Sequence, residues 1–434
     1  MTGNSYAAVL RTPGIGVWSA VMVCQRFPVA MAPLALVFLG HAVTGSYAVG
    51  ALLGGAHALA EALAAGPLGR RFDVRPARGE LARVLSAEAA VFAALAVAAP
   101  ALTAAGASPW ATVGMIVPAC LGGGVSAGAH GGLRAYLVRL APAESRVPAL
   151  SLESTTSTIV WTAAPALVAG LAVIDARIPI AAMAALAAAG AVLARRLRDL
   201  APAVATGQAS EEAGGGTAAM AAEEATSKRS DEEISRAIRT ATSKPSGLWR
   251  SSWPAMAYDG AVMFAFGAVS LALPVLLTDH GAEAGLSGLV LTSFALAGIV
   301  GGLLYGVRVW PGTPLRHAVL FALGLSVSLV AAALVPVLGA VVMLLALAGF
   351  FETPALTARA AALQDVLPES SWAAGFSALY GAAGLGYGAA GLAVAWLIER
   401  VPAQVALGIC VVTAVAVALA STAMDVRRLT PTKA

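Results

Sequence analysis

Charge is what this chain has least of. Only 12% of its 434 residues are charged, where an ordinary soluble domain carries roughly 25%. With 59% hydrophobic residues and a mean hydropathy of +0.81, it cannot be a water-soluble globule. Cysteine is nearly absent as well: Cys24, Cys120 and Cys410 all fall inside apolar runs, which excludes a disulfide framework and a zinc cluster. No His-x-x-x-His, Cys-x-x-Cys or Ser-x-x-Lys arrangement occurs, which argues against a membrane-embedded enzyme. A Walker motif is also lacking, so ATP is not expected as the energy source, and no cofactor or metal is expected.

What is present is alanine, valine, leucine and glycine in runs of about 20 residues or more. That is the length needed to cross roughly 30 Å of hydrocarbon at 1.5 Å per residue. The runs predict twelve helices, near 14–38, 45–68, 81–104, 110–137, 148–173, 178–197, 252–277, 285–307, 316–335, 338–361, 371–398 and 402–423. The first run has no basic region before it and no small-residue cleavage site, so it is expected to be a retained helix. With both termini cytoplasmic, 22 of the 27 Lys and Arg residues fall inside, three (Arg26, Arg134, Arg359) fall within spans, and only Arg177 and Arg400 fall outside. The net charge of +4 therefore flanks helices instead of forming one basic face, and nucleic acid is not an expected partner.

The expected fold is an all-α integral membrane protein with twelve transmembrane helices in two pseudo-symmetric six-helix bundles. Residues 1–198 would form the first bundle, 199–250 a cytoplasmic linker, and 251–434 the second bundle. Within the linker, Ser230 followed by Asp231, Glu232 and Glu233 reads as a capping box, and Ile234, Ala237, Ile238 and Ala241 form an apolar stripe; together they predict a short amphipathic helix. The two halves echo each other: Arg134 with Pro142-Ala143-Glu144 after the fourth helix matches Arg359 with Pro368-Glu369 after the tenth. Six plus six is the repeat layout of many secondary transporters. Glycines at four-residue spacing, Gly124, Gly128 and Gly132, then Gly298, Gly302 and Gly306, predict close helix approach.

The exit from the second helix, Gly66-Pro67-Leu68-Gly69-Arg70-Arg71-Phe72-Asp73-Val74-Arg75-Pro76-Ala77-Arg78, resembles the loop signature of the major facilitator superfamily. Gly69, Asp73 and Arg78 match it, while Val74 and Pro76 depart from it. Arg26-Phe27-Pro28, Gly132-Leu133-Arg134 and Gly301-Gly302-Leu303-Leu304-Tyr305-Gly306 resemble the bacterial efflux-permease branch. The fifth helix reads Ala164-Pro165-Ala166, where drug/proton antiporters of that superfamily carry Gly-Pro. The resemblance implies a gating role for the loop and a cavity lined by helices 1, 4, 7 and 10.

Ionisable groups within spans cost roughly 2.5–3.5 kcal/mol each near the bilayer centre, so each needs a partner, water or a task. Arg26, His57, Glu61, Asp259 and Glu352 are the candidates for a substrate and proton cavity. Asp73, Arg78, Arg134, Glu153 and Arg359, nearer the cytoplasmic ends with Glu88, are candidates for an inner gate, or for snorkelling. Two pairings suggest themselves: Arg26 with Glu61, leaving His57 to sense its protonation or forming a fixed clamp, and Asp259 with Arg359. The expected function is proton-coupled export of a small organic molecule by alternating access. Nutrient import by the same fold is the alternative, and a non-transporting sensor or scaffold is a further one. Twenty-four arginines against three lysines point to a G+C-rich bacterial genome, hence a multi-pass protein of the cytoplasmic membrane, surrounded by lipid and acting as a monomer.

Overall fold

In a computed structural model, which describes residues 5–105, 108–200, 245–283 and 286–429, the described residues are helical apart from short turns between helices. Among the described residues, twelve helical segments are long and apolar enough to cross a membrane: Ile15–Thr44, Tyr47–Val74, Ala77–Ala104, Pro109–Leu140, Ala143–Ala172, Arg177–Ala194, Ser251–Asp279, Ser287–Val307, Pro314–Leu334, Leu338–Val366, Glu369–Ile398 and Ala403–Asp425. They are called spans one to twelve below. Helices suit this solvent because they satisfy every backbone donor and acceptor within the segment. The amphipathic helix expected around Ser230–Ala241 lies outside the described residues.

Two features depart from the sequence reading. A short helix, Ser5–Arg11, precedes the first span and is joined to it through Gly14, whose φ of 96° is a left-handed value that suits glycine. The fourth span is broken into Pro109–Ser126 and Ala129–Leu140.

Close helix approach is real, with one glycine exchanged. A Cβ on Gly128 would lie 2.6 Å from the Leu68 carbonyl carbon, and one on Gly302 would lie 2.7 Å from the Thr155 hydroxyl. Gly124, however, faces open space; its neighbours Gly122 and Gly123 make the contact, against Phe92 and the His57 backbone. The repeat appears as matched joints. Pro142 leads a 3-10 turn, Ala143–Ser145, into the fifth span, and Pro368 leads another, Glu369–Ser371, into the eleventh.

Spans one to six pack mainly among themselves, as do seven to twelve. Between the halves, the main contacts run from span two to eleven, four to eleven, five to eight and five to ten. These contacts gather at the end of the bundle where the arginine-rich turns lie. Residues 372–379 of span eleven are buried on all sides, yet none of residues 382–389 is buried. Span five behaves likewise, buried near Ser151 and Glu153 and largely exposed beyond Val160. The halves are therefore closed at the arginine-rich end and part toward the other.

Candidate functional site

Glu153 in span five organises the buried charge of the first half. Its carboxylate accepts from the Arg26 guanidinium of span one at 2.6 Å and from Arg134 of span four at 2.5 and 2.9 Å. Arg26 spends its other donors on Gln25 at 3.1 Å and Ser157 at 3.3 Å. The pairing of Arg26 with Glu61 expected from sequence is thus not made. The reason is geometric: Arg26 faces span five, where its Nε and Nη2 bond Ser157 and Glu153, and its Nη1 bonds Gln25 of its own helix.

Glu61 stands instead against the second half, with the Tyr380 hydroxyl of span eleven as its hydrogen-bonding neighbour. One of its oxygens has no partner, and neither oxygen of Glu88 in span three has one. These two buried acids lie within electrostatic reach of each other, near the stretch of span four where Gly122 and Gly123 pack against Phe92 and His57. One turn along each helix, His57 and Phe92 meet with ring centroids 6.1 Å apart. His57 donates from Nδ1 to the Ala119 carbonyl at 3.0 Å, which leaves its buried Nε2 without a partner. It does not touch a carboxylate. His130 stacks on Tyr380 at 3.9 Å, and Arg134 lies 5.8 Å from the Phe376 ring, so the first half's charges are read by the opposing span eleven.

In the second half the expected bond between Asp259 and Arg359 is replaced. Arg359 of span ten pairs with Asp425 of span twelve and covers the Tyr258 ring at 5.4 Å. Asp259 stays within electrostatic reach of Arg359, Arg134 and Glu352, but one of its oxygens has no partner. Glu352 is only half-buried and accepts one bond, from Thr353 at 3.3 Å. Arg26, His57 and Glu352, three of the residues expected to share a cavity, are thereby distributed over three separate environments.

The closed end is held by Asp73. Its two oxygens accept from the backbone amides of Ala373 and Ala374 at 2.9 and 3.0 Å, at the start of the eleventh helix, where unpaired N–H groups favour an anion. Arg139 adds a contact at 3.4 Å and donates to the Glu369 carbonyl at 3.1 Å. Ser377 donates to the Gly128 carbonyl at 3.2 Å. Arg78 does not join this lock; it pairs with Asp199, just past the sixth span, at 3.0 Å. Arg134, Glu153 and Arg359 do not reach Asp73 either. Arg139, Tyr380 and Asp425 escaped the sequence reading: Arg139 reads as one of many flanking arginines, Tyr380 as one aromatic in a Gly/Ala run, and Asp425 lies past the last apolar stretch.

No family model and no curated protein sequence matches the chain. Solved structures do match it in fold. A bacterial homologue of the iron transporter ferroportin in an outward-facing state aligns with a TM-score of 0.70 at 13% identity, covering 95% of this chain and 98% of that one. The human organic anion transporter MFSD10 aligns with a TM-score of 0.66 at 14% identity, covering 95% and 99%. The proton:xylose symporter XylE of the major facilitator superfamily aligns with a TM-score of 0.64 at 14% identity, covering 93% and 94%. The chain has the fold of major facilitator superfamily transporters over nearly its whole length.

Proposed function

We propose that this protein is a secondary active transporter of a bacterial cytoplasmic membrane that exports a small organic molecule by alternating access, driven by protons. Residues 1–198 and 251–434 act as the two rocking bundles, joined by the cytoplasmic linker 199–250, with both termini inside and the monomer as the working unit. The observation that carries the reading is the surplus of buried and half-buried acids. Glu61, Glu88, Asp259 and Glu352 have no arginine of their own, because Arg26 and Arg134 share Glu153 and Arg359 takes Asp425. Uncompensated carboxylates in a low-dielectric interior favour taking up protons, and acids placed between two halves that part are suited to carry them.

Each residue then has a task. Asp259 and Glu352 in the second half, with Arg26, His57 and Glu61 in the first, border the substrate and proton path. Asp73 closes the inner end, while the Glu153 cluster and Arg359 keep their helices in register. The likeness to a ferroportin homologue in an outward-facing state agrees with an arrangement closed at the arginine-rich, cytoplasmic end. Likeness to the proton:xylose symporter favours a second reading, nutrient import on the same fold.

A thermal-shift screen of purified protein supplies the substrate, and proteoliposomes with an imposed pH gradient then test coupling. Neutralising Asp259, Glu352 and Glu61 one at a time (Asp259→Asn, Glu352→Gln, Glu61→Gln) is expected to abolish gradient-driven movement in at least one variant. Unchanged transport in all three overturns proton coupling through these groups, and the sign of the gradient that accelerates substrate exit separates export from import.

A further inference from the structure

At the arginine-rich end, the turn joining spans two and three meets the tail of span six around a cleft of about 620 Å³. That size is ordinary for a small-ligand site, roughly 300–1,000 Å³. Arg78, Arg83 and Arg195 line it together with Ser86 and Asp199. The charge here is out of balance. Buried Glu80 already receives Arg71 at 2.9 Å, Arg75 at 3.4 Å and Arg83 at 2.9 Å. Asp199 receives Arg78 at 3.0 Å, and the exposed Arg195 bonds no carboxylate among the described residues. Five guanidinium groups thus answer to two carboxylates within one corner of the molecule, and none of the five takes part in the Asp73 lock.

The height of the cleft says which anion fits. Span three begins at Ala77 and span six ends at Ala194, so the lining residues sit where the helices leave the hydrocarbon, at the level of the lipid phosphates. Guanidinium presents paired N–H donors that match phosphate oxygens, and basic clefts between helix ends at this surface take lipid head groups. We infer that Arg78, Arg83 and Arg195 hold the phosphodiester head group of an anionic membrane lipid. A tightly held lipid at this corner fastens the span-three turn to span six, away from the path between the halves.

Native mass spectrometry of the full chain, released from nanodiscs of phosphatidylglycerol and phosphatidylcholine in equal parts, tests the inference. The expected result is selective retention of phosphatidylglycerol, weakened roughly tenfold or more in the Arg83→Ala/Arg195→Ala double variant. The Arg308→Ala/Arg316→Ala pair, which removes the same charge from another turn of that surface, retains the lipid. Equal retention in wild type and the first pair overturns the site, and equal loss in both pairs reduces it to general surface attraction. Inorganic phosphate that displaces the lipid and raises the unfolding temperature as much overturns the lipid assignment in favour of a free anion. Glu80 keeps Arg71 and Arg75 when Arg83 is lost; should the double variant still fail to fold, Arg195→Ala alone carries the same test.

Discussion

Two guanidinium groups on one carboxylate make Glu153 the residue on which most buried charge depends. Replacing it with glutamine leaves Arg26 and Arg134 as uncompensated cations in a dry interior, and breaking such a pair costs about 3–5 kcal/mol. Glu153→Gln is therefore expected to lower the thermal unfolding midpoint of the purified protein sharply, while Glu88→Gln, which removes a carboxylate without a bonded partner, leaves the midpoint nearly unchanged or raises it. Equal behaviour of the two variants would refute this account of the cluster. The sequence identified Arg26, Glu61, Arg134, Glu153, Asp259 and Arg359 as intramembrane charges, because any charge within an apolar run is conspicuous. Which acid each arginine takes was not legible. That choice depends on helix rotation, and alanine-rich helices with weakly polarised faces do not reveal it.

At the scale of elements, the twelve spans were legible because runs of that length in hydrocarbon have no option but helix. The short helix before the first span was not, since seven residues carry too little periodicity to read. Its packing gives it consequence. Val9 is fully buried, and the Tyr6 hydroxyl donates to the Leu303 carbonyl of span eight at 2.9 Å, against Gly306, so a segment of the first half is tied to the second at the closed end. Burial pushes the Tyr6 hydroxyl up to about 12 from its usual 10. A raised folded-state value means that the tie's contribution is complete below pH 10 and is lost as pH rises through about 12. Tyr6→Phe is expected to unfold at a lower temperature than wild type at pH 8, by about 1 kcal/mol or less in stability, with the difference vanishing toward pH 12. A constant difference across that range would show that the hydroxyl does not act through this bond.

For the whole molecule, closure at one end and parting at the other make opposite demands on the same helix. With the native cysteines replaced by serine, Gly388→Cys in span eleven is expected to react quickly with a water-soluble maleimide, and Ser377→Cys, about three turns earlier, to be protected. Equal protection of both positions would contradict the parted halves. Asp73→Asn removes the charge that the amides of Ala373 and Ala374 receive, and should raise labelling at position 377 without lowering it at 388. The Asp73 contact could be anticipated only in part: the loop signature drew attention to Asp73, but its partners are backbone amides some 300 residues away, which no side-chain pattern announces.

The order of contacts between the halves has a consequence for symmetry. The second helix of the first half meets the fifth of the second half, and the fifth of the first meets the second of the second, with the same proline-led joint before each fifth helix. An exchange of this kind is the signature of an isologous interface, the contact that two identical subunits make across a twofold axis. Two identical six-helix units could dimerise through such a surface, and in one continuous chain each seam is free to differ. Where two identical copies would carry the same contact twice, this chain carries a carboxylate lock at one seam and a tyrosine tie at the other.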